Sequence, residues 1–201
     1  VLDLPPTMVT LHLGTAMLLL AALLVAAVFA MYRPAVRRPS DRVTTLAYLT
    51  AALSLVIILT GALVRGSGAT LACTDWPLCN GQVIPTGQGQ LTLIHMFHRF
   101  SVLALGISLV ILVIFVYRDR SDARMRTLAA AALVAYLGQA LIGALFVWSA
   151  GAPLWGAAHV GMAATTWALL VALSAMEWLG SRVSESAGEE WKRRSEVSPS
   201  A

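Results

Sequence analysis

The stretch LTLIHMFHRFSVLALGISLVILVIFVY, residues 91–117, decides the fold. From Phe100 to Tyr117 it carries no charge, and the whole run exceeds the roughly 20 residues that an α-helix needs to cross the hydrocarbon of a bilayer. Inside lipid the backbone must satisfy its own hydrogen bonds, so such a run is a helix and not a lone strand. Working outward, four more runs pass the same test, at about 8–32, 44–64, 127–149 and 155–178. With 58% hydrophobic and 12% charged residues and a mean hydropathy of +0.77, the composition excludes an ordinary soluble domain. The expectation is an all-α, polytopic membrane protein with five transmembrane helices.

The charges between the runs set the topology. Arg33, Arg37, Arg38 and Arg42 lie between the first and second runs, and Arg118, Arg120, Arg124 and Arg126 lie between the third and fourth. Arginine-rich short loops stay on the cytoplasmic side, which places loops 33–43 and 118–126 inside and loops 65–90 and 150–154 outside. Trp76, Trp148 and Trp155 then fall where an outer aromatic belt is expected. The formal charge of +4 is therefore a membrane-orientation signal and gives no reason to expect a nucleic-acid partner. Residues 179–201, rich in Ser, Glu and Lys/Arg, read as a disordered cytoplasmic tail. The opening Val1-Leu2-Asp3-Leu4-Pro5-Pro6 lacks an initiator Met and a basic region, unlike a signal peptide, and reads as a cut from a longer protein.

All four histidines lie within apolar runs, where such residues are costly and mark function. His95 and His98, three apart, share a face of the third helix about one turn below its outer end. His159 lies at similar depth on the fifth, which runs in the same direction. If these helices sit diagonally in a four-helix bundle, His98 and His159 can approach one iron from opposite sides, and the apolar setting points to heme. The competing reading makes each a simple interhelical hydrogen-bond donor. His95 is open between a ligand and a group supporting one. Arg99 reads either as a clamp for a heme propionate or as a packing arginine bound to loop carbonyls. His12-Leu13-Gly14-Thr15-Ala16 parallels His159-Val160-Gly161-Met162-Ala163, the trace of a duplicated unit.

Cys73 and Cys79 lie in the outward loop, where thiols oxidise, and Pro77 favours a turn between them. A structural clip is the leading reading. A redox pair, without the tight Cys-x-x-Cys spacing, and a zinc site, without further ligands nearby, are weaker ones.

Three motifs in order carry a resemblance: Thr60-Gly61-Ala62-Leu63-Val64-Arg65-Gly66-Ser67-Gly68, Cys73-Thr74-Asp75-Trp76-Pro77-Leu78-Cys79-Asn80-Gly81 and Ile94-His95-Met96-Phe97-His98-Arg99. Together they closely resemble the heme A synthase family, over nearly all of residues 1–178. The resemblance implies an eight-helix enzyme of two similar halves that oxidises a methyl group of heme O to the formyl group of heme A. It divides the chain into residues 1–43, the last helix of an incomplete first half with its cytoplasmic loop, residues 44–178, a complete four-helix half binding heme b, and the 179–201 tail. It implies His98 and His159 as axial ligands of that heme, a Cys73–Cys79 disulfide, and His12 in the substrate-heme site. His95 stands where the first-half motif of the family carries a glutamate. The implied setting is the cell's inner (plasma) membrane, with heme O, membrane lipid, heme O synthase and terminal-oxidase assembly factors as partners and a homo-oligomer open. The alternative function is a non-catalytic membrane cytochrome b, or heme-binding module.

Overall fold

The computed structural model describes residues 5–34 and 38–197, with Pro6 and residues 183–197 described as backbone only. Arg37 and the two chain ends, 1–4 and 198–201, lie outside the described residues. Five long helices follow in order: α1 (Pro6–Met31), α2 (Arg42–Gly66), α3 (Gln90–Asp119), α4 (Ala123–Trp148) and α5 (Pro153–Val197), with a short 3-10 turn at Ala69–Leu71. Each contains a stretch long and apolar enough to cross a membrane, the last ending at Arg182. The chain is an all-helical, multi-pass membrane protein.

Local chemistry sets the helix boundaries. Asp41 caps α2, accepting from the amides of Val43 at 2.9 Å and Thr44 at 3.2 Å, while the Thr44 hydroxyl accepts in turn from the Asp41 amide. Asp122 caps α4 by accepting from the Arg124 amide at 2.8 Å. The tight α4–α5 turn passes through Ala150 and Gly151, with φ of 53° and 84°.

α2 packs on α3 and α5, and α4 packs on the same two helices, so α3 and α5 face each other across a ring of four. α1 lies outside this ring against α2 and α5, pinned by the Trp167 indole donating to the Met17 carbonyl at 3.0 Å. Leu105, Leu109, Leu112 and Val116 form one buried face of α3 and meet Ala129 and Ala132 of α4, Ala47 and Ala51 of α2, and Leu170 and Leu173 of α5. Large residues on two helices against small ones on the others let the backbones approach. In lipid this dispersion contact, and not exclusion of water, favours association. Interhelical polar contacts add to it, among them Thr50 with Ser108 at 2.6 Å.

The fifth helix departs from the expectation for the tail. Its backbone continues as helix to Val197, where residues 179–201 read as disordered. Glu189 and Glu190 precede Arg193 and Arg194 by four positions, a spacing that supports a helix without any apolar face.

At the arginine-rich end, one side chain joins three helices, α2, α3 and α5. The buried Arg120 guanidinium donates to Glu177 at 2.6 and 2.7 Å and to Asp41 at 2.7 and 3.0 Å, and the Thr44 hydroxyl donates to Glu177 at 2.8 Å. Arg42 pairs with Asp119 at 3.0 Å beside it, and the Tyr32 hydroxyl donates to Asp122 at 2.7 Å. Burial raises the Tyr32 phenol well above its ordinary range, helped by the Asp122 carboxylate. Burial disfavours the Arg120 charge, but the bonds to Glu177 and Asp41 outweigh it and raise its pKa.

The bond from Arg120 holds Asp41 down from 3.8 to about 2. A depressed carboxylate contributes stability above its unfolded pKa and loses it as pH falls through the folded value. Thermal unfolding of the detergent-solubilised protein should therefore show stability falling from about pH 4 toward 2, with a shallower slope in Asp41→Asn. Equal slopes in the two proteins would contradict this.

Candidate functional site

The histidine pair sits in the half of the ring nearer the disulfide-bearing loop 67–89. His98 stands on α3 and His159 on α5, the two helices that face each other, and the imidazoles lie within electrostatic reach of one another. Each ring is oriented from the preceding helix. Nδ1 of His98 is 2.9 Å from the Thr60 hydroxyl of α2, and Nδ1 of His159 is 3.1 Å from the Gln139 carbonyl of α4. With Nδ1 engaged in this way, Nε2 is the nitrogen left to ligate a metal, and the bond at Nδ1 fixes the ring plane.

A second feature repeats with the same symmetry. A Cβ at Gly61 of α2 would stand 3.3 Å from Cε1 of His98, and one at Gly143 of α4 would stand 3.0 Å from Cε1 of His159. Each imidazole therefore brings its Cε1 against a glycine, and a Cβ there would force the ring to give way. Gly61-Ala62-Leu63 and Gly143-Ala144-Leu145 are identical triplets, and they carry the two glycines on corresponding helices. The bulky leucine core is concentrated toward the other end, leaving glycine and alanine at histidine depth. A paired-imidazole site for a planar, apolar cofactor fits these residues: two oriented rings on opposite helices, backed by small residues.

His95, one turn outward, is buried, and its Nδ1 has no hydrogen-bond partner. Its ring is thus not committed by any Nδ1 bond of the kind that orients the other two. Arg99 makes the loop-carbonyl contacts of its second reading, donating to Pro77 at 3.3 Å and to Leu78. Its Nη2 stays buried without a partner, so one donor remains for an anionic group. Tyr136 of α4 donates to the Val102 carbonyl at 2.9 Å and lies against Gly106. His12 is not brought to the pair: it is exposed on α1, outside the ring.

The loop between α2 and α3 forms a folded cover beside the site. Cys73 and Cys79 are joined, with Cα atoms 4.6 Å apart, and the buried disulfide packs on Met96 between His95 and His98. Asn80-Gly81 make a two-residue hairpin turn, with φ of 51° and 78° and paired Cys79–Gln82 amide bonds of 2.8 and 3.0 Å. Asp75 closes this turn, accepting from the amides of Asn80 and of Gly81, and the Gly81 bond leads in lowering its pKa. Trp76 meets Trp148 edge-to-face at 6.1 Å, tying the loop to the end of α4. Replacing both cysteines by serine should cost about 2 kcal/mol of stability, as expected for so small a ring. Thermal unfolding checks it, and an unchanged midpoint would show that the loop is held without the bridge.

Comparison with known proteins bears on the same elements. The profile of the family described as "Cytochrome oxidase assembly protein" matches residues 2–171. The chain is similar to the heme A synthase of Bacillus mycoides (strain KBAB4), with 33% identity over 133 residues, 65% of this chain and 43% of the relative. It is 32% identical over the same shares to the heme A synthases of Bacillus cereus (strain AH187) and Bacillus anthracis (strain A0248). The matched region thus spans less than half the length of these curated relatives. A match over most of the chain, on five apolar helices with their histidines and disulfide loop, shows that the chain belongs to the heme A synthase family of cytochrome oxidase assembly proteins.

Proposed function

We propose that the chain is the cofactor-bearing part of a heme A synthase, which oxidises the methyl group of heme O to the formyl group of heme A. In this reading His98 and His159 hold a heme b through Nε2, Thr60 and Gln139 set the planes of the two rings, and Arg99 offers its free Nη2 to a propionate. The observation that carries it is the matched pair of oriented imidazoles on facing helices, each with its Cε1 against a glycine. A heme held by these residues would supply reversible one-electron transfer. The buried His95 stands next to this pair as a supporting group, and the disulfide loop shields its outer end. Helix directions follow from the arginine loops, which puts the loop outside the cytoplasm and the site in the outer half of a plasma membrane.

His12 belongs to a separate substrate-heme site completed by helices beyond this chain, which its exposed place on α1 supports. The test uses the full-length parent carrying His12→Ala. Heme b at His98 and His159 should remain, while conversion of heme O to heme A falls about a hundredfold, since small misplacements of a reacting group carry such costs. Heme extracts separated by chromatography give the readout. Wild-type heme A content would remove His12 from the site, and loss of heme b as well would show that the two sites are one.

A further inference from the structure

The arginine-rich end of the helices encloses a cavity of about 370 Å³ that the imidazole pair does not use. From His98 to Arg120 along α3 is about 33 Å at 1.5 Å per residue, so cavity and pair lie at opposite ends of the helices. The cavity is bounded by the end of α1, the start of α4 and the α5 stretch around Glu177. Arg33, Arg38, Arg120 and Arg124 line it.

These arginines are not equivalent. Arg120 is neutralised by Glu177 and Asp41. Among the described residues, no carboxylate lies within 4.0 Å of the Arg33, Arg38 or Arg124 guanidinium. Among the described residues, the Arg33 side chain donates to the carbonyls of Phe29 and Tyr32, and that of Arg38 to the carbonyl of Asp119. The two carboxylates on the cavity wall are already engaged, Glu177 by Arg120 and Thr44, and Asp122 by the Tyr32 hydroxyl and the Arg124 amide. Positive charge is therefore in excess around a concavity, and guanidinium donors of this kind suit an anion with several acceptor oxygens.

We propose that this cavity binds the phosphate of an anionic phospholipid, with Arg33, Arg38 and Arg124 as donors. The cavity lies at the ends of membrane-spanning segments, at the level where lipid phosphates are the abundant anions. Directly beside it, Trp178 follows the wall residue Glu177, stacks on Phe29 at 4.9 Å and lies under the Arg182 guanidinium at 5.0 Å. An aromatic and cationic edge of this kind belongs at the headgroup boundary and gives the acyl chains an apolar wall. The inference is independent of any heme.

Native mass spectrometry of the full chain in detergent tests it, with dioleoyl phosphatidylglycerol, dioleoyl phosphatidylcholine and inorganic phosphate as separate probes. Phosphatidylglycerol should saturate at one tight molecule per chain, and phosphatidylcholine should not. Arg124→Gln should weaken phosphatidylglycerol about fivefold and Arg38→Gln with Arg124→Gln about twentyfold, while Arg118→Gln leaves it unchanged. Arg118 is the control because its side chain is 72% exposed and outside the cavity wall. If the double variant does not fold, Arg124→Gln alone decides, because that side chain is exposed and makes no hydrogen bond among the described residues. Equal binding of the two lipids, equal weakening by Arg118→Gln and Arg124→Gln, or displacement of phosphatidylglycerol by millimolar inorganic phosphate would each overturn the proposal.

Discussion

His98→Ala and His159→Ala should each abolish retention of a low-spin heme b by the purified protein. The expectation follows from the way the two rings are held. Each is fixed at Nδ1 by the preceding helix, at 2.9 Å from Thr60 and at 3.1 Å from Gln139, so the protein has committed both rings to one orientation. In the proposed site, removing one ring would take away one of the two ligands and leave a gap against Gly61 or Gly143. Whatever iron remained would have an open sixth position and a high-spin spectrum. His95 does not rescue either variant, because it lies on the same helix as His98 and is one turn nearer the outer loop. Reduced-minus-oxidised visible spectra check this, and an unchanged low-spin spectrum in both variants would remove the pair from the site.

Arg120→Ala should destabilise the protein by about 3–5 kcal/mol, the usual cost of leaving one partner of a buried ion pair uncompensated. Glu177 is the group left behind: its side chain is 3% exposed, Arg120 donates to both of its oxygens, and Thr44 would keep only one of them satisfied. Replacing Arg120 and Glu177 together by methionine should recover most of that loss, since an apolar pair of similar volume avoids the desolvation of two charges. The cycle is read by thermal unfolding in detergent. Additive losses in the double variant would show that the two residues act separately. The heme spectrum should be untouched in either protein, because the ion pair lies at the far end of α3 from His98.

The five spans were legible because each apolar run is long enough to dominate every other signal, and the structure returns all of them with ends shifted by a few residues. The pairing of His98 with His159 was legible as an idea from their matched depth, and the facing positions of α3 and α5 are what that idea required. What oriented the rings was not legible. The partner of His159 is a backbone carbonyl, which no residue type announces, and Thr60 lies 38 positions from His98. The repeated Gly-Ala-Leu triplets were a usable signal, and they passed unread because glycine is common in transmembrane helices as a packing residue. The Arg120 knot joins Asp41 and Glu177 across 79 and 57 positions, so no local pattern contains it. The helical course of α5 beyond 178 went the other way: composition argued for disorder, while the four-residue spacing of its charges favours helix.

The most direct measurement is low-temperature electron paramagnetic resonance of the wild-type chain purified with its heme, alongside its heme-to-protein ratio. The proposed ligation by His98 and His159 predicts one heme b per chain with the low-spin ferric signal of bis-histidine ligation, lost in both single-histidine variants. A predominantly high-spin signal in the wild type, or a low-spin signal that survives loss of His98 and of His159, would contradict the assignment.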